Sequence, residues 1–373
     1  MNVQNMQSVS RWPCLTAARV VLLVLAACVF LSQARASAAE PAREQRIIGP
    51  HREHVRELAR YLDHVEIYAP IRYRHLALFP VRLRDGDTLR GNWLTMDEAM
   101  SRGVLAVREK GGGSVPVVIV QNRSRHETVF IMGGEVLAGG KQTRTVRQDV
   151  VLSPGQRVEL RVFCVEAQRW KGDSRFNAGE TLLPQSIQKA LRKGADQEQV
   201  WSEVARNNRA LAAETVTGSL EAALNSPSVK RRLGEVRARI VPETPKDSVG
   251  FIFLSGRRAV GADFFGRADV ARGLLPKLLD SYSVDCILQH GGEAVADEKA
   301  QESSALAFFD QVRKAGSERV ATSGSGAGIA TNTRTLLGGG VSLGEVLVHY
   351  GVQIRDRITP PPPSPLIRPQ IRR

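Results

Sequence analysis

Aromatic residues are scarce in this chain, making up 5% of its 373 residues. A surface on which nucleobases stack would therefore have few rings to draw on. Cysteine is scarcer still: of four copies, only Cys164 and Cys286 lie beyond the first 38 residues, too few for a disulfide framework. Long apolar runs are missing except at residues 20–31, a run too short for a permanent transmembrane helix.

Acidic residues are fewer than basic residues in this chain. Lys plus Arg number 52 against 38 Asp plus Glu, a formal net charge of +14, and only 10 of the cations are Lys. Arg grips carboxylates and phosphates in a planar fork, although a high share of Arg also follows from the base composition of a genome. The chain is 42% hydrophobic and 24% charged, which excludes a disordered or fibrous body.

The first 38 residues have the three parts of an export signal. They contain three Arg and no acid, an apolar run at residues 20–31, and A-x-A cleavage sites at 34–36 and 36–38. A lipid anchor at Cys28 is the alternative, but the apolar run continues past this residue, which favours simple cleavage near residues 36–39. We expect an exported bacterial protein, periplasmic or secreted, whose positive charge faces small anionic molecules, lipids or glycans rather than nucleic acid.

The chain after the signal is predicted to form one domain of the α+β class over residues 45–355. Residues 75–166 are predicted to be mostly antiparallel β-structure joined by hairpins, residues 184–316 mostly helical, and residues 329–355 a final strand region. From Pro360 onward six of fourteen residues are Pro and none is acidic, so residues 356–373 are predicted to be a disordered basic tail.

Two local patterns in the β-rich part make firm structural predictions. Thr95 with Glu98 forms a capping box, which predicts that a helix begins at residue 96. Ser153-Pro154-Gly155-Gln156 predicts a hairpin turn between strands at residues 143–152 and 157–165.

The densest motif is the glycine-rich segment 133–142, with the sequence GGEVLAGGKQ, which is predicted to connect two strands. It fails as a phosphate loop, because Glu135 stands where the first Gly is required and Gln142 replaces the Ser or Thr that holds magnesium. A role remains in which glycine N–H groups approach a ligand and Glu135, Lys141 and Gln142 supply an acid, a cation and an amide. The alternative is a β-connection with solvated charges.

The second motif is the segment 164–170, Cys-Val-Glu-Ala-Gln-Arg-Trp. Cys164 and Glu166 continue the apolar face of a strand, so Glu166 faces a cavity or lies at the strand's end. A carboxylate against apolar walls has a raised pKa and can act as an acid or base, unless Arg169 pairs with it. Trp170 offers a stacking face. Cys164 is predicted to be an inert core residue that does not bridge to Cys286.

Other motifs predict neither a metal nor a cofactor. His51 and His54 lack the spacing and the third ligand of a zinc helix. The glycines at 324, 326 and 328 lack the G-x-G-x-x-G spacing of a dinucleotide-binding turn.

Seven segments occur in an order that resembles a known family. They are LTMDEA (94–99), GSVP (113–116), GEVLAGGKQ (134–142), VFCVEAQRW (162–170), TGSL (217–220), VGADFF (260–265) and LPKLLDSY (275–282). The family is named for its association with ADP-ribosylglycohydrolases (ARG) and the rhodanese-phosphatase superfamily. The resemblance covers about residues 45–285 and extends toward 355. It implies an α+β module, in a family without an established activity, that handles ADP-ribose or a related nucleotide derivative.

The sequence thus predicts an exported module that binds a small anionic ligand, and whether it is an enzyme stays open. The alternatives are a hydrolase that uses Glu135 and Glu166 as acid and base, and a purely structural envelope protein. The glycine-rich segment and residues 164–170 are expected to form one site. Its expected ligand-binding residues are Gly134, Gly139, Gly140, Lys141, Gln142, Arg169 and Trp170.

Overall fold

The structure is a computed structural model that describes residues 55–111, 116–289 and 298–355, together with the backbone of Arg46–Ile47. The predicted export signal, the alternative lipid site at Cys28, the proline-rich tail, and His51 and His54 all lie outside the described residues.

Nineteen strands and eight α-helices form within these residues. The strands are β1 (Arg46–Ile47), β2 (Val65–Ile67), β3 (Ile71–Tyr73), β4 (Leu76–Leu83), β5 (Asn92–Thr95), β6 (Leu105–Glu109), β7 (Val117–Asn122), β8 (Glu127–Ile131), β9 (Glu135–Gly139), β10 (Arg144–Val146), β11 (Val150–Leu152), β12 (Arg157–Cys164), β13 (Phe176–Leu182), β14 (Gly250–Ser255), β15 (Arg258–Phe265), β16 (Glu318–Val320), β17 (Ala327–Asn332), β18 (Leu336–Leu343) and β19 (Val346–Ile354). The helices are α1 (Arg56–Asp63), α2 (Met96–Ser101), α3 (Gln185–Arg192), α4 (Gln197–Ala210), α5 (Leu220–Leu224), α6 (Pro227–Ile240), α7 (Ala268–Gln289) and α8 (Glu298–Lys314).

The largest sheet has ten strands and draws on both ends of the chain. Its order is β1-β2-β4-β14-β15-β19-β18-β17-β16, with β3 also paired to β4, and all of its pairs are antiparallel. The β4–β14 pair, in which Val81 stands opposite Gly250, joins the early strands to the late ones. The sheet therefore forms only when segments distant in sequence meet.

Two smaller sheets hold most of the β-rich region. One has six strands in the order β13-β9-β10-β12-β7-β6, and the other has three in the order β11-β8-β5. The β5–β8 pair is parallel, unlike the antiparallel pairing predicted for this region. The strand β9 lies inside the six-stranded sheet, with β13 on one side and β10 on the other.

Apolar side chains form four cores between these layers. One face of the large sheet packs on α1 and α8, while Phe251 and Phe253 on the other face pack with α7 and with Phe130 of β8. The two smaller sheets enclose a third core with α2. Helices α3 to α6 form the fourth, which Val136 of β9 joins to the six-stranded sheet. In the described part of the chain, no helix is both long and apolar enough to cross a membrane.

The α+β class predicted from the sequence is confirmed. The Thr95–Glu98 capping box is also formed: the Glu98 N–H donates to the Thr95 hydroxyl, and the Glu98 carboxylate accepts from the Thr95 N–H. Helix α2 begins at residue 96, as predicted.

Two details of the β-rich region differ from the prediction. The expected strand 143–152 is interrupted: β10 joins the six-stranded sheet and β11 the three-stranded one, so residues 153–156 connect two sheets instead of closing a hairpin. The glycine-rich segment, predicted as a connection, contains the strand β9. Turn residues do not specify which strand a segment pairs with. The strand pairing in the structure therefore differs from both the predicted hairpin at 153–156 and the predicted glycine-rich connection.

Candidate functional site

Segments that carry the family resemblance meet at the two ends of β9. At its start, Glu135 contacts Lys277 of α7, and Lys277 also contacts Asp97 of α2. Beyond its end, residues 139–142 contact the segment 164–170. We call the first group the Lys277 cluster (Asp97, Glu135, Lys277).

The Lys277 cluster is an ion-pair triad in which Glu135 and Lys277 are buried and Asp97 reaches the surface. The Lys277 Nζ lies 2.6 Å from Asp97 Oδ1 and 3.0 Å from Glu135 Oε1, and the Met132 N–H donates to Glu135 Oε2 at 2.9 Å. The Glu135 side chain is fully buried, whereas that of Asp97 is 44% exposed. Burial raises the pKa of Glu135, with the Lys277 charge opposing it. Burial alone would lower the pKa of Lys277, but the two carboxylates outweigh it and the pKa is raised.

At the other end of β9, Glu166 is held by donors from three segments. Its Oε2 accepts from the Thr143 N–H at 3.1 Å, the Thr143 hydroxyl at 2.9 Å and Arg169 Nε at 2.9 Å. Its Oε1 accepts from the Thr217 hydroxyl at 2.8 Å. Burial pushes the pKa of Glu166 upward, but the bonds from Arg169, Thr217 and Thr143 outweigh it, so the pKa is lowered.

The guanidinium of Arg169 donates to Glu166 and to several acceptors around it. Besides the bond to Glu166, its Nη1 donates to the carbonyls of Gly140 (3.0 Å) and Lys171 (2.7 Å), and its Nη2 donates to the Gly139 carbonyl (3.2 Å) and the Thr143 hydroxyl (3.4 Å). All five of its N–H groups thus have acceptors within the chain. We call Thr143, Glu166, Arg169 and Thr217 the Glu166 latch, because they tie residues 166–171 to the end of β9.

The backbone N–H groups of the glycine-rich segment also point to acceptors in the chain. The Gly133 N–H donates to Asp149 Oδ1 at 2.7 Å and the Gly134 N–H to the Val146 carbonyl at 2.8 Å. The Gly140 N–H donates to the Arg175 carbonyl and the Lys141 N–H to Glu109 Oε1. The N–H groups of Gly134 and Gly140, two of the glycines expected to contact a ligand, are therefore engaged within the chain.

Trp170 is the largest exposed apolar side chain beside the Glu166 latch, with 47% of its surface open. Its ring centroid lies 5.4 Å from Lys141 Nζ and 5.8 Å from the Arg144 guanidinium carbon. We call Lys141, Arg144 and Trp170 the Trp170 platform. An aromatic face beside two cations is a surface that suits an anion carrying a ring.

Arg144 is fully buried, and Gln142 and Cys164 hold its guanidinium. Its Nη1 donates to Gln142 Oε1 at 3.0 Å and to Cys164 Sγ at 2.6 Å, and the Gln142 amide group donates to the Ala167 carbonyl at 3.4 Å. Burial raises the pKa of Cys164, with the Arg144 charge opposing it. A neutral buried thiol is a poor nucleophile, in line with the inert role predicted for it. Cys164 and Cys286 are both free.

The structure thus brings together some of the predicted site residues and separates others. Gly139, Gly140, Lys141, Gln142, Glu166, Arg169 and Trp170 meet at the end of β9. Gly134 and Glu135 lie at its start, where the hydrogen bonds of the Glu135 carboxylate go to Met132 and Lys277. Among the residues that the structure describes, the two candidate carboxylates, Glu135 and Glu166, have no hydrogen-bond partner in common.

Sequence reasoning missed a buried chain centred on His349. Its Nδ1 lies 2.6 Å from Asp149 Oδ2 and its Nε2 lies 3.2 Å from Asp263 Oδ1, while the Tyr282 hydroxyl donates to Asp263 Oδ2 at 2.9 Å. Burial would lower the pKa of His349, but the two Asp raise it to about 9. Gly351 leaves space for the Asp263 carboxylate, since a Cβ at this position would lie 2.6 Å from Asp263 Oδ1. The sequence signal that could have revealed these contacts is an ionisable residue, His349, within a largely apolar strand.

An open cleft of about 1150 Å³ lies between α3 and α4. Its lining mixes the cations Lys189, Lys193 and Arg206 with the acids Asp196 and Glu203. Mixed charge of this kind selects no particular ligand chemistry. In the described ranges, no group of three or more His, Cys, Asp or Glu side chains is arranged to hold a metal ion.

Comparison with known proteins gives a family and nothing narrower. The family model described as the ARG and Rhodanese-Phosphatase-superfamily-associated Protein domain matches residues 64–352, which confirms the resemblance drawn from the sequence. No curated protein and no solved structure matches the chain.

Proposed function

We propose, given that the chain belongs to the family of ARG and Rhodanese-Phosphatase-superfamily-associated Protein domains, that it is a binding module for a small anionic ligand. The observation that carries the proposal is the Trp170 platform: a half-exposed indole with cations 5.4 and 5.8 Å from its centroid. Large aromatic side chains are usually buried, so one displayed beside the partly exposed Lys141 suits ligand contact.

The Glu166 latch supports the proposal by holding the platform in place. Arg169 joins residues 166–171 to the carbonyls of Gly139 and Gly140, and Trp170 is the next residue along the chain. A loop ordered before binding loses less conformational entropy when the ligand arrives, which raises affinity. We therefore assign Arg169 the role of holding the loop, and Lys141 that of contacting the anion.

The same contacts favour binding over hydrolysis. A general acid must keep its proton near neutral pH, and the bonds to Glu166 lower its pKa. Glu135 has the raised pKa that an acid needs, but its side chain is fully buried and ion-paired with Lys277, where it does not meet a solvent-borne substrate.

The first ligand to test is ADP-ribose, because the family's name associates it with ADP-ribosylglycohydrolases. Titration calorimetry of the purified protein should compare ADP-ribose, AMP, ribose 5-phosphate and inorganic phosphate. We expect at least one of them to bind, and Trp170→Ala and Lys141→Ala each to weaken it by about tenfold or more, with the melting temperature unchanged.

Lys314→Ala is the matched control for Lys141→Ala, since it removes an exposed Lys from α8. This helix packs with α1 on the face of the ten-stranded sheet opposite the one that contacts α7 and β8. The control variant should leave the affinity unchanged. Absence of binding at millimolar ligand, or equal affinity of Trp170→Ala and the parent protein, would overturn the proposal. Turnover of a bound ligand that Glu166→Gln abolishes would favour the hydrolase instead.

We also propose that the protein is exported, which rests on the basic, apolar and A-x-A parts of residues 1–38. N-terminal sequencing of protein from the native host should begin near residues 37–40. A first residue of Met1, or a lipid on Cys28, would contradict cleavage at this place.

A further inference from the structure

Two neighbouring buried side chains, Arg144 beside the Trp170 ring and Glu109 beside Arg144, keep polar atoms that no described residue hydrogen-bonds. Among the described residues, no hydrogen bond reaches Arg144 Nε, Arg144 Nη2 or Glu109 Oε2. Arg144 is 0% exposed and the Glu109 side chain 2%. The two residues are neighbours, since Arg144 Nη2 lies 3.5 Å from Glu109 Oε1.

Such groups are rare, because a buried donor or acceptor without a partner is costly. Here they lie together, with donors on Arg144 and an acceptor on Glu109. Both side chains are also fixed: Gln142 and Cys164 hold Arg144 Nη1, and the Lys141 N–H donates to Glu109 Oε1 at 3.0 Å. The arrangement is thus a preformed set of donors and an acceptor to which no described residue hydrogen-bonds.

The charges decide which group fits there. A phosphate would meet the Glu109 carboxylate and be repelled, even though Arg144 attracts it. A hydroxyl accepts from an Arg N–H and donates to a carboxylate oxygen, so it satisfies both residues at once. A sugar offers hydroxyls of this kind on a compact ring, together with a C–H face that packs on an indole.

We propose that Arg144 and Glu109 form a hydroxyl-binding subsite and that the ligand of the Trp170 platform is a sugar phosphate. This rests on the proposed function and names its ligand class. The Trp170 ring turns away from the guanidinium, a side-chain rotation that exposed residues make quickly. The sugar then lies between the ring and the Arg144–Glu109 pair, and Lys141 contacts the phosphate.

Calorimetry with two matched phosphates tests the proposal: ribose 5-phosphate, which carries hydroxyls, and n-pentyl phosphate, which carries none. We expect ribose 5-phosphate to bind at least about tenfold more tightly, since a site built for a hydroxyl discriminates against a ligand without one. Glu109→Gln can still accept the Lys141 N–H through its amide oxygen while placing an NH₂ group where Oε2 was. It should weaken ribose 5-phosphate by about tenfold or more and leave n-pentyl phosphate unchanged.

Glu159→Gln is the control, because it neutralises an exposed carboxylate on β12 that pairs with Lys110; both affinities should match those of the parent protein. Equal binding of the two phosphates, as expected if only a water fills the position, overturns the subsite, and so does an equal loss of both on Glu109→Gln. If the two phosphates bind equally and Trp170→Ala weakens both, the proposed function stands while the subsite fails. If neither phosphate binds, the subsite fails, and the proposed function fails as well only if ADP-ribose, AMP and inorganic phosphate also do not bind.

Discussion

At the scale of single residues, several cations near the candidate site are engaged within the protein. Lys277 lies between two carboxylates, Arg169 donates its N–H groups to Glu166, Thr143 and nearby backbone carbonyls, and Arg144 is fully buried. The net charge of +14 therefore does not show which cations can meet an anion. What matters for recognition is which cations stay near the surface, and Lys141 beside Trp170 is the one that we propose.

Replacing Lys277 by Met should lower the free energy of unfolding by about 3–5 kcal/mol, because it leaves the buried Glu135 carboxylate without its cation. Urea unfolding at pH 7 measures the change. The double variant Lys277→Met, Glu135→Gln removes both charges and should recover part of the loss. A loss below about 1 kcal/mol in the single variant would mean that Glu135 is not ionised in the folded protein.

At the scale of elements, β9 organises the site. It is an interior strand whose two ends meet different helices and loops, so it fixes the Lys277 cluster and the Glu166 latch relative to one sheet. The loop that carries Trp170 docks closely on the end of this strand, because Gly172 packs against the Gly140 carbonyl and a Cβ there would overlap it.

Gly172→Ala and Gly155→Ala form a matched pair that tests this docking. Both positions have a positive φ, but a Cβ at Gly155 would meet nothing within 4 Å. Both substitutions introduce backbone strain, and only Gly172→Ala adds an overlap. We expect it to destabilise the protein by about 1–3 kcal/mol more than Gly155→Ala does in thermal or urea unfolding. Equal losses would mean that the loop shifts freely on β9.

At the scale of the whole molecule, His349 connects separate sheets. It lies on β19 of the ten-stranded sheet and bonds to Asp149, which stands in the connection from β10 to β11. The partner on its other side, Asp263, belongs to β15 of its own sheet. Because His349 and both Asp are buried, their contact stabilises the fold most while the imidazole is charged.

The His349 contact makes stability depend on pH in a definite direction. The folded-state pKa of His349 is raised to about 9 from an ordinary 6.5, so its contribution is complete below pH 6.5 and is lost as the pH rises to 9. The free energy of unfolding should fall across that window by about 3 kcal/mol. Urea unfolding at steps from pH 6 to 9.5 measures it. His349→Gln should flatten the fall, whereas His126→Gln, a change at an exposed residue, should not.

The features that the sequence determined by itself are the local ones. Hydrophobic periodicity and turn residues gave the α+β class, and the capping box at Thr95 placed the start of α2, because these depend on neighbours within a few residues. The ordered motifs were enough to identify the family. They also singled out the segments around Glu135, Glu166 and Trp170, although not the contacts that each residue makes.

Only the tertiary structure decided those contacts, because they join residues far apart in sequence. Glu135 finds Lys277, and Asp149 finds His349. Nothing in the periodicity of β10, β11 or the turn at 153–156 specified that neighbouring segments would enter different sheets. Strand partners are chosen by the packing of whole layers, and the carboxylates and cations take whatever positions that packing brings within reach of one another.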